Sequence, residues 1–170
     1  MKLYVASSWR NKYQPEVVIH LRSWGHEVYD FRHPAPDNDG FSWASIDPQW
    51  QLWSPEKYRE ALRHPIAKQG FACDWNGMTN AEGCVLVLPS GRSAHLEVGW
   101  FMGRDLPVWI YVPEQVEPEL MYLLAKSGAD ALCKSFMELK LSLESRERCV
   151  HNNLPSDCGI CVNTLRGADE

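Results

Sequence analysis

The segment Val85-Leu86-Val87-Leu88-Pro89-Ser90-Gly91-Arg92-Ser93-Ala94-His95-Leu96-Glu97-Val98-Gly99 carries one acid, Glu97, just after a change of pattern. Gly83 to Leu88 is an apolar run that reads as a fully buried strand. Pro89-Ser90-Gly91 ends it, and small polar residues open a helix that continues through Trp100, Phe101 and Met102. In an α/β sheet, ligands sit where a strand's carboxyl end feeds a helix N-terminus, whose free N–H groups attract negative charge. Placed in that first turn or just beyond it, Glu97 is expected to be ionised at neutral pH and available as a nucleophile. The same position also suits a plain dipole-pairing glutamate in a solvated turn. A second acid, Asp74, precedes this strand. Two carboxylates are what glycosidic chemistry needs: one attacks or stabilises the anomeric carbon while the other protonates the leaving group. Asp74 alone fits a surface or helix-capping aspartate as well.

The elements that must position these acids follow from the pattern around them. Leu3 to Ala6 predicts a short strand, Pro15 to Trp24 a helix with Gly25 as its stop, and Glu27 to Phe31 a second strand. This opening β-α-β unit implies a parallel pair. Residues 32–54 are rich in Pro, Asp and Trp and read as a long irregular loop. Ser54-Pro55 starts a helix to about Arg63, where His64-Pro65 breaks it, and a second helix covers Phe71 to Ala81 with Asp74 on it. Beyond the Glu97 helix, Leu106 to Val112 predicts a strand, 118–126 a helix, Ala129 to Cys133 a short fifth strand, and Ser135 caps a last helix to about Glu147. The alternation specifies an α/β, flavodoxin-like, doubly wound five-stranded parallel sheet of order 2-1-3-4-5 with helices on both faces. In that order the loop after strand 1 (Ser7, Ser8, Trp9, Arg10), the Asp74 segment and the Glu97 helix start converge at the switch point. Residues 1–147 read as one domain, with 148–170 a Cys- and His-containing tail.

The chain has 170 residues, enough for one domain with a real core. Its net charge of -5 and lack of a basic patch argue against a nucleic-acid polymer as partner. No apolar run approaches the roughly 18 residues of a membrane span, and Met1-Lys2 leads straight into a strand pattern with no signal-peptide core, so a cytoplasmic protein is expected. Of eight tryptophans, Trp43, Trp50, Trp53 and Trp75 fall between the second and third strands, as an aromatic wall or as core.

Taken together, Tyr4 through Trp9, Asp74-Trp75-Asn76-Gly77 and Ser93-Ala94-His95-Leu96-Glu97-Val98-Gly99 resemble the nucleoside 2-deoxyribosyltransferase superfamily, which includes the 2'-deoxynucleoside 5'-phosphate N-hydrolases. The resemblance spans roughly residues 2–140. It implies cleavage or transfer at the N-glycosidic bond of a (deoxy)nucleoside or nucleoside 5'-monophosphate through a covalent glutamyl-sugar intermediate, with no cofactor. Glu97 would be the nucleophile, Asp74 the proton donor to the base, and Tyr4 the partner that holds Glu97 in line. Phe41 and Trp43 would stack on the base. Ser8-Trp9-Arg10 resembles the element that grips a 5'-phosphate in the monophosphate hydrolases, with Ser7, Ser90, Gly91, Arg92 and Ser93 as further substrate contacts. Arg10 and Arg92 also fit as solvated surface residues. Transferases of the superfamily often carry another acid shortly before the nucleophile; Ser90-Gly91-Arg92-Ser93 has none, so hydrolysis and base exchange both stay open. The superfamily also implies a homo-oligomer. A non-catalytic nucleotide-sensing module on the same fold is the alternative.

Cys149-x-His151 and Cys158-x-x-Cys161 supply four residues of the kind zinc prefers, although the first pair is more tightly spaced than most zinc sites. A structural zinc, and with it a zinc-binding interaction protein, is the reading to set against a tail with incidental thiols. His95 is placed on the rim of the mouth rather than in the chemistry.

Overall fold

Alternate residues of the first strand divide the core in two. In the computed structural model, which describes residues 1–152 and the side-chain surroundings of 1–146, β1 (Lys2–Ala6) sends Leu3 and Val5 into one apolar cluster and Tyr4 and Ala6 into the other. This is the period-two consequence of an extended backbone buried on both faces. The sheet is wholly parallel, with strand order β2-β1-β3-β4-β5, formed with β2 (Glu27–Asp30), β3 (Gly83–Val87), β4 (Val108–Tyr111) and β5 (Leu132–Cys133). The expected class and order are therefore the observed ones.

One cluster gathers Leu3, Val5, Val85, Val87 and Trp109 against Val17, Val18 and Leu21 of α1 (Gln14–Ser23) and Leu139 and Leu143 of α5 (Phe136–Asn152). Each fully buried leucine of that layer contributes on the order of 2 kcal/mol. The other cluster packs Tyr4, Cys84, Leu86 and Ile110 against Met78 of α3 (Pro65–Asn80) and Ala94, Val98 and Phe101 of α4 (Arg92–Gly103). The two acids belong to α3 and α4, so both stand over this second face.

Several boundaries differ from expectation. His64-Pro65 starts a helix as well as ending one: the His64 ring accepts from the Ile66 N–H, and Pro65 needs no donor at the first position. The helix carrying Asp74 thus begins at Pro65 rather than Phe71, after the short α2 (Pro55–Ala61). The expected helix over 118–126 is a 3-10 turn, Leu120–Leu124, tied down by buried Tyr122. A second 3-10 turn, Gly128–Ala131, takes most of the expected fifth strand, and β4 is two residues shorter at its start. With no glycine or proline between Phe136 and Asn152, α5 runs past Glu147. Among the described residues, no helix is long and apolar enough to cross a membrane.

Candidate active site

Asp74 and Glu97, each half-buried, come within electrostatic reach of one another above Tyr29 of β2, Tyr4 of β1 and Cys84 of β3. Glu97 is the sixth residue of α4, past the first turn. Its carboxyl is pushed up to about 7, first by burial and then by the charge of Asp74, while the nearby Tyr4 hydroxyl acts the other way. This corrects the expectation of a fully ionised Glu97. Helix-end polarity fades within one turn, whereas burial under the neighbouring elements and a like charge persist. Asp74 is also raised by burial, an effect opposed by Tyr29, whose hydroxyl donates to Asp74 Oδ1 at 2.9 Å.

Beneath the acids lies a rung of weakly acidic groups. The register sets Tyr29 of β2 beside Tyr4 of β1, and Tyr4 beside Cys84 of β3. The two phenol rings stack with centroids 5.3 Å apart and planes 9° apart. Tyr4 is wholly buried, and its hydroxyl makes no hydrogen bond of ordinary geometry. Burial and the charges of Glu97 and Asp74 hold its proton far above the usual phenol range. Cys84 is held protonated by burial and by Glu97. Tyr4 therefore lies close enough to Glu97 for its hydroxyl to act on that carboxyl.

A cleft of about 320 Å³ opens on the Asp74 side, walled by Phe31, Phe41, Ser42, Asn38, Gln69 and Cys73 among others. Phe41 packs tightly on α3 because residue 70 is glycine: a Cβ there would come within 2.7 Å of the Phe41 Cβ and 2.8 Å of its Cγ. Trp43 is one ring further out, edge-on to Phe41 and packed with Trp53 and Tyr58, and it does not line this cleft.

The hydroxyl and arginine residues expected at the mouth serve partly as structure. Ser7 Oγ donates to the Val87 carbonyl at 2.9 Å, and Ser8 Oγ accepts from the Arg10 N–H. Trp9 is half-exposed, its ring edge-on to Phe31. Arg10, Gly91, Arg92 and Ser93 are exposed at the strand ends, Gly91 capping α4. Ser90 Oγ approaches His95, which also bonds the Gly91 carbonyl and the Tyr122 hydroxyl, so His95 braces the rim. None of Ser7 to Arg10 or Ser90 to Ser93 lines the cleft beside Asp74.

Three supporting residues escaped the sequence reading. Asn11, buried, donates from Nδ2 to the Val87 and Pro89 carbonyls and accepts at Oδ1 from the Tyr13 and Gln14 N–H groups. Arg32 donates to the carbonyls of Ser8, Trp9 and Asn11 and so gathers the loop after β1. Tyr29 was legible only through register: once strands 2 and 1 are neighbours, it falls on the Tyr4 face. The side chains of Cys149 and His151, together with Cys158 and Cys161, lie outside the described residues. Among the described residues, no group of three or more His, Cys, Asp or Glu could hold a metal ion.

The fold is shared with a 2-deoxyribosyltransferase. That enzyme, from the psychrotolerant bacterium Bacillus psychrosaccharolyticus, is characterised as a biocatalyst for the synthesis of antiviral and antitumoral nucleosides. It is similar to this chain with a TM-score of 0.52 over 82% of this chain and 90% of that one, at 18% sequence identity. No family model matches the sequence, and no curated protein matches it.

Proposed function

We propose that this protein breaks the N-glycosidic bond of a (deoxy)nucleoside or its 5'-monophosphate, with Glu97 as nucleophile and Asp74 as proton donor. The observation that carries this reading is the coupling of two half-buried carboxyls, one of them in the wall of an aromatic-sided cleft. The shared fold of a 2-deoxyribosyltransferase supports it.

A base entering the cleft meets Phe41 and the Asp74 carboxyl, and its sugar extends toward Glu97. A Glu97 oxygen bonds C1' as the C1'–N bond breaks, and the bonding pair leaves with the base. Asp74 supplies the proton that neutralises the departing nitrogen. Burial raises both acids, the direction that favours a proton on Asp74, and sharpens Glu97 as a weakly solvated nucleophile once ionised. The glutamyl-sugar ester is then released to water, making a hydrolase, or to a second base, making a transferase. In this reading Ser8, Arg10, Arg92 and Ser93, at the strand ends, bind the 5'-phosphate of a monophosphate substrate. The active form is proposed to be a homo-oligomer.

The test is incubation with a panel of nucleosides and 5'-monophosphates, with and without a second free base, following base release by chromatography. Base release by the parent and a loss of about a thousandfold or more in Glu97→Ala are expected. Equal activity in Glu97→Ala would exclude this mechanism.

A further inference from the structure

The geometry points to Tyr29 as a positioning residue for Asp74, one that decides which carboxyl oxygen carries the transferable proton. This rests on the reading of Asp74 as proton donor. A tyrosine hydroxyl has one hydrogen, and that of Tyr29 is directed at Asp74 Oδ1. With Oδ1 engaged as an acceptor, the proton of a neutral Asp74 belongs on Oδ2, which accepts no hydrogen bond from the described residues. Asp74 also forms part of the cleft wall, which is where a ligand would meet its carboxyl.

Tyr29 is itself held from two sides. Tyr4 stacks on its ring at 5.3 Å, and Gly77 on α3 brings the helix backbone so close that a Cβ there would lie 2.6 Å from the ring. Few rotations remain to the phenol, so its bond constrains the torsion of the Asp74 carboxyl. The groups facing this pair are Glu97 from α4, Tyr4 from β1 and Cys73 from α3, and none of them carries positive charge. Burial and the Asp74 charge keep the Tyr29 proton in place, so Tyr29 orients and does not itself give up a proton. As Oδ2 loses its proton to the leaving nitrogen, Asp74 becomes a carboxylate. The Tyr29 hydrogen bond then becomes charge-assisted and stronger, which favours the transfer.

Tyr29→Phe keeps the ring, its stack and its seat over Gly77 while deleting the donor. Two measurements follow: the Asp74 carboxyl titration by 13C NMR without substrate, and kcat and KM for base release across pH. A hydrogen bond to a carboxylate lowers its pKa, so its loss moves the Asp74 midpoint, and with it the pH–rate profile, to higher pH. We expect kcat at the optimum to fall about tenfold with KM little changed. In an Asp74→Asn background the same substitution lowers kcat no further, which a merely structural role would not produce. An unmoved Asp74 titration in Tyr29→Phe overturns the proposal whatever the activity. A moved titration in a protein that releases no base overturns the catalytic reading, and the positioning role falls with it.

Discussion

Gly77 lies directly under the ring of Tyr29, with room for a hydrogen and none for a methyl: a Cβ at 77 would sit 2.6 Å from one ring carbon and 2.7 Å from two others. The helix would gain about 1 kcal/mol from alanine in place of glycine. Overpacking typically costs about 1 to 3 kcal/mol, and Tyr29 cannot retreat because Tyr4 stacks on it. Gly77→Ala is therefore expected to lower Tm by several degrees and to weaken the Tyr29–Asp74 hydrogen bond. Thermal unfolding followed by circular dichroism checks this, and a raised Tm would show that the ring is free to move.

The acidity of Glu97 sets a sign for stability against pH. Its folded-state value of about 7 stands above the ordinary 4.5, so at any pH between them the folded form holds a proton that the unfolded form has released. The stabilisation present below about 4.5 is thus lost as pH rises through about 7. Glu97→Gln removes this dependence. Relative to the parent, the variant is expected to gain on the order of 2 to 3 kcal/mol between pH 4 and pH 8, read by denaturant titration at each pH. A constant difference across that range would mean that Glu97 is solvated.

Asn11 joins the loop after β1 to the carboxyl end of β3 and also caps the chain entering α1. Asn11→Ala leaves two carbonyls and two N–H groups without this partner in a buried setting. A loss of roughly 2 to 4 kcal/mol in unfolding free energy is expected. Asn11→Asp, which retains the acceptor but not the Nδ2 donor, is expected to lose a comparable amount by placing a carboxylate against the Val87 and Pro89 carbonyls. Chemical denaturation of both variants separates this from a surface effect, which would cost less than about 0.5 kcal/mol.

Fold and site were unequally legible in the chain. Gly83 to Leu88 could only be a buried strand, and a β-α-β opening left few arrangements for the rest. His64-Pro65 misled because proline is both a helix breaker and a favoured first residue, so the helix under Asp74 looked shorter than its 16 residues. The apolar spacing of Leu120, Leu123 and Leu124 reads as a helix face, yet those side chains are exposed and only Tyr122 is anchored. Within the candidate site, Asp74 and Glu97 stand out in the sequence because their neighbours form motifs. Tyr29, the partner of Asp74, belongs to no motif: its place follows from which strand lies beside which. The acidity of Glu97 was misjudged for the same reason, since burial is supplied by residues far away in the sequence.

The rung of Tyr29, Tyr4 and Cys84 under two carboxyls has an electrostatic consequence of its own. No lysine, arginine or histidine pairs with Asp74 or Glu97 among the described residues. With Asp74 protonated as the proposed donor, an ionised Glu97 is thus a single buried negative charge without a resident counter-ion. Under the proposed reaction, the compensating charge arrives only as the substrate's ring becomes cationic at C1' and vanishes when that cation is captured. Such a lone carboxylate holds its guest most tightly at the instant of bond exchange.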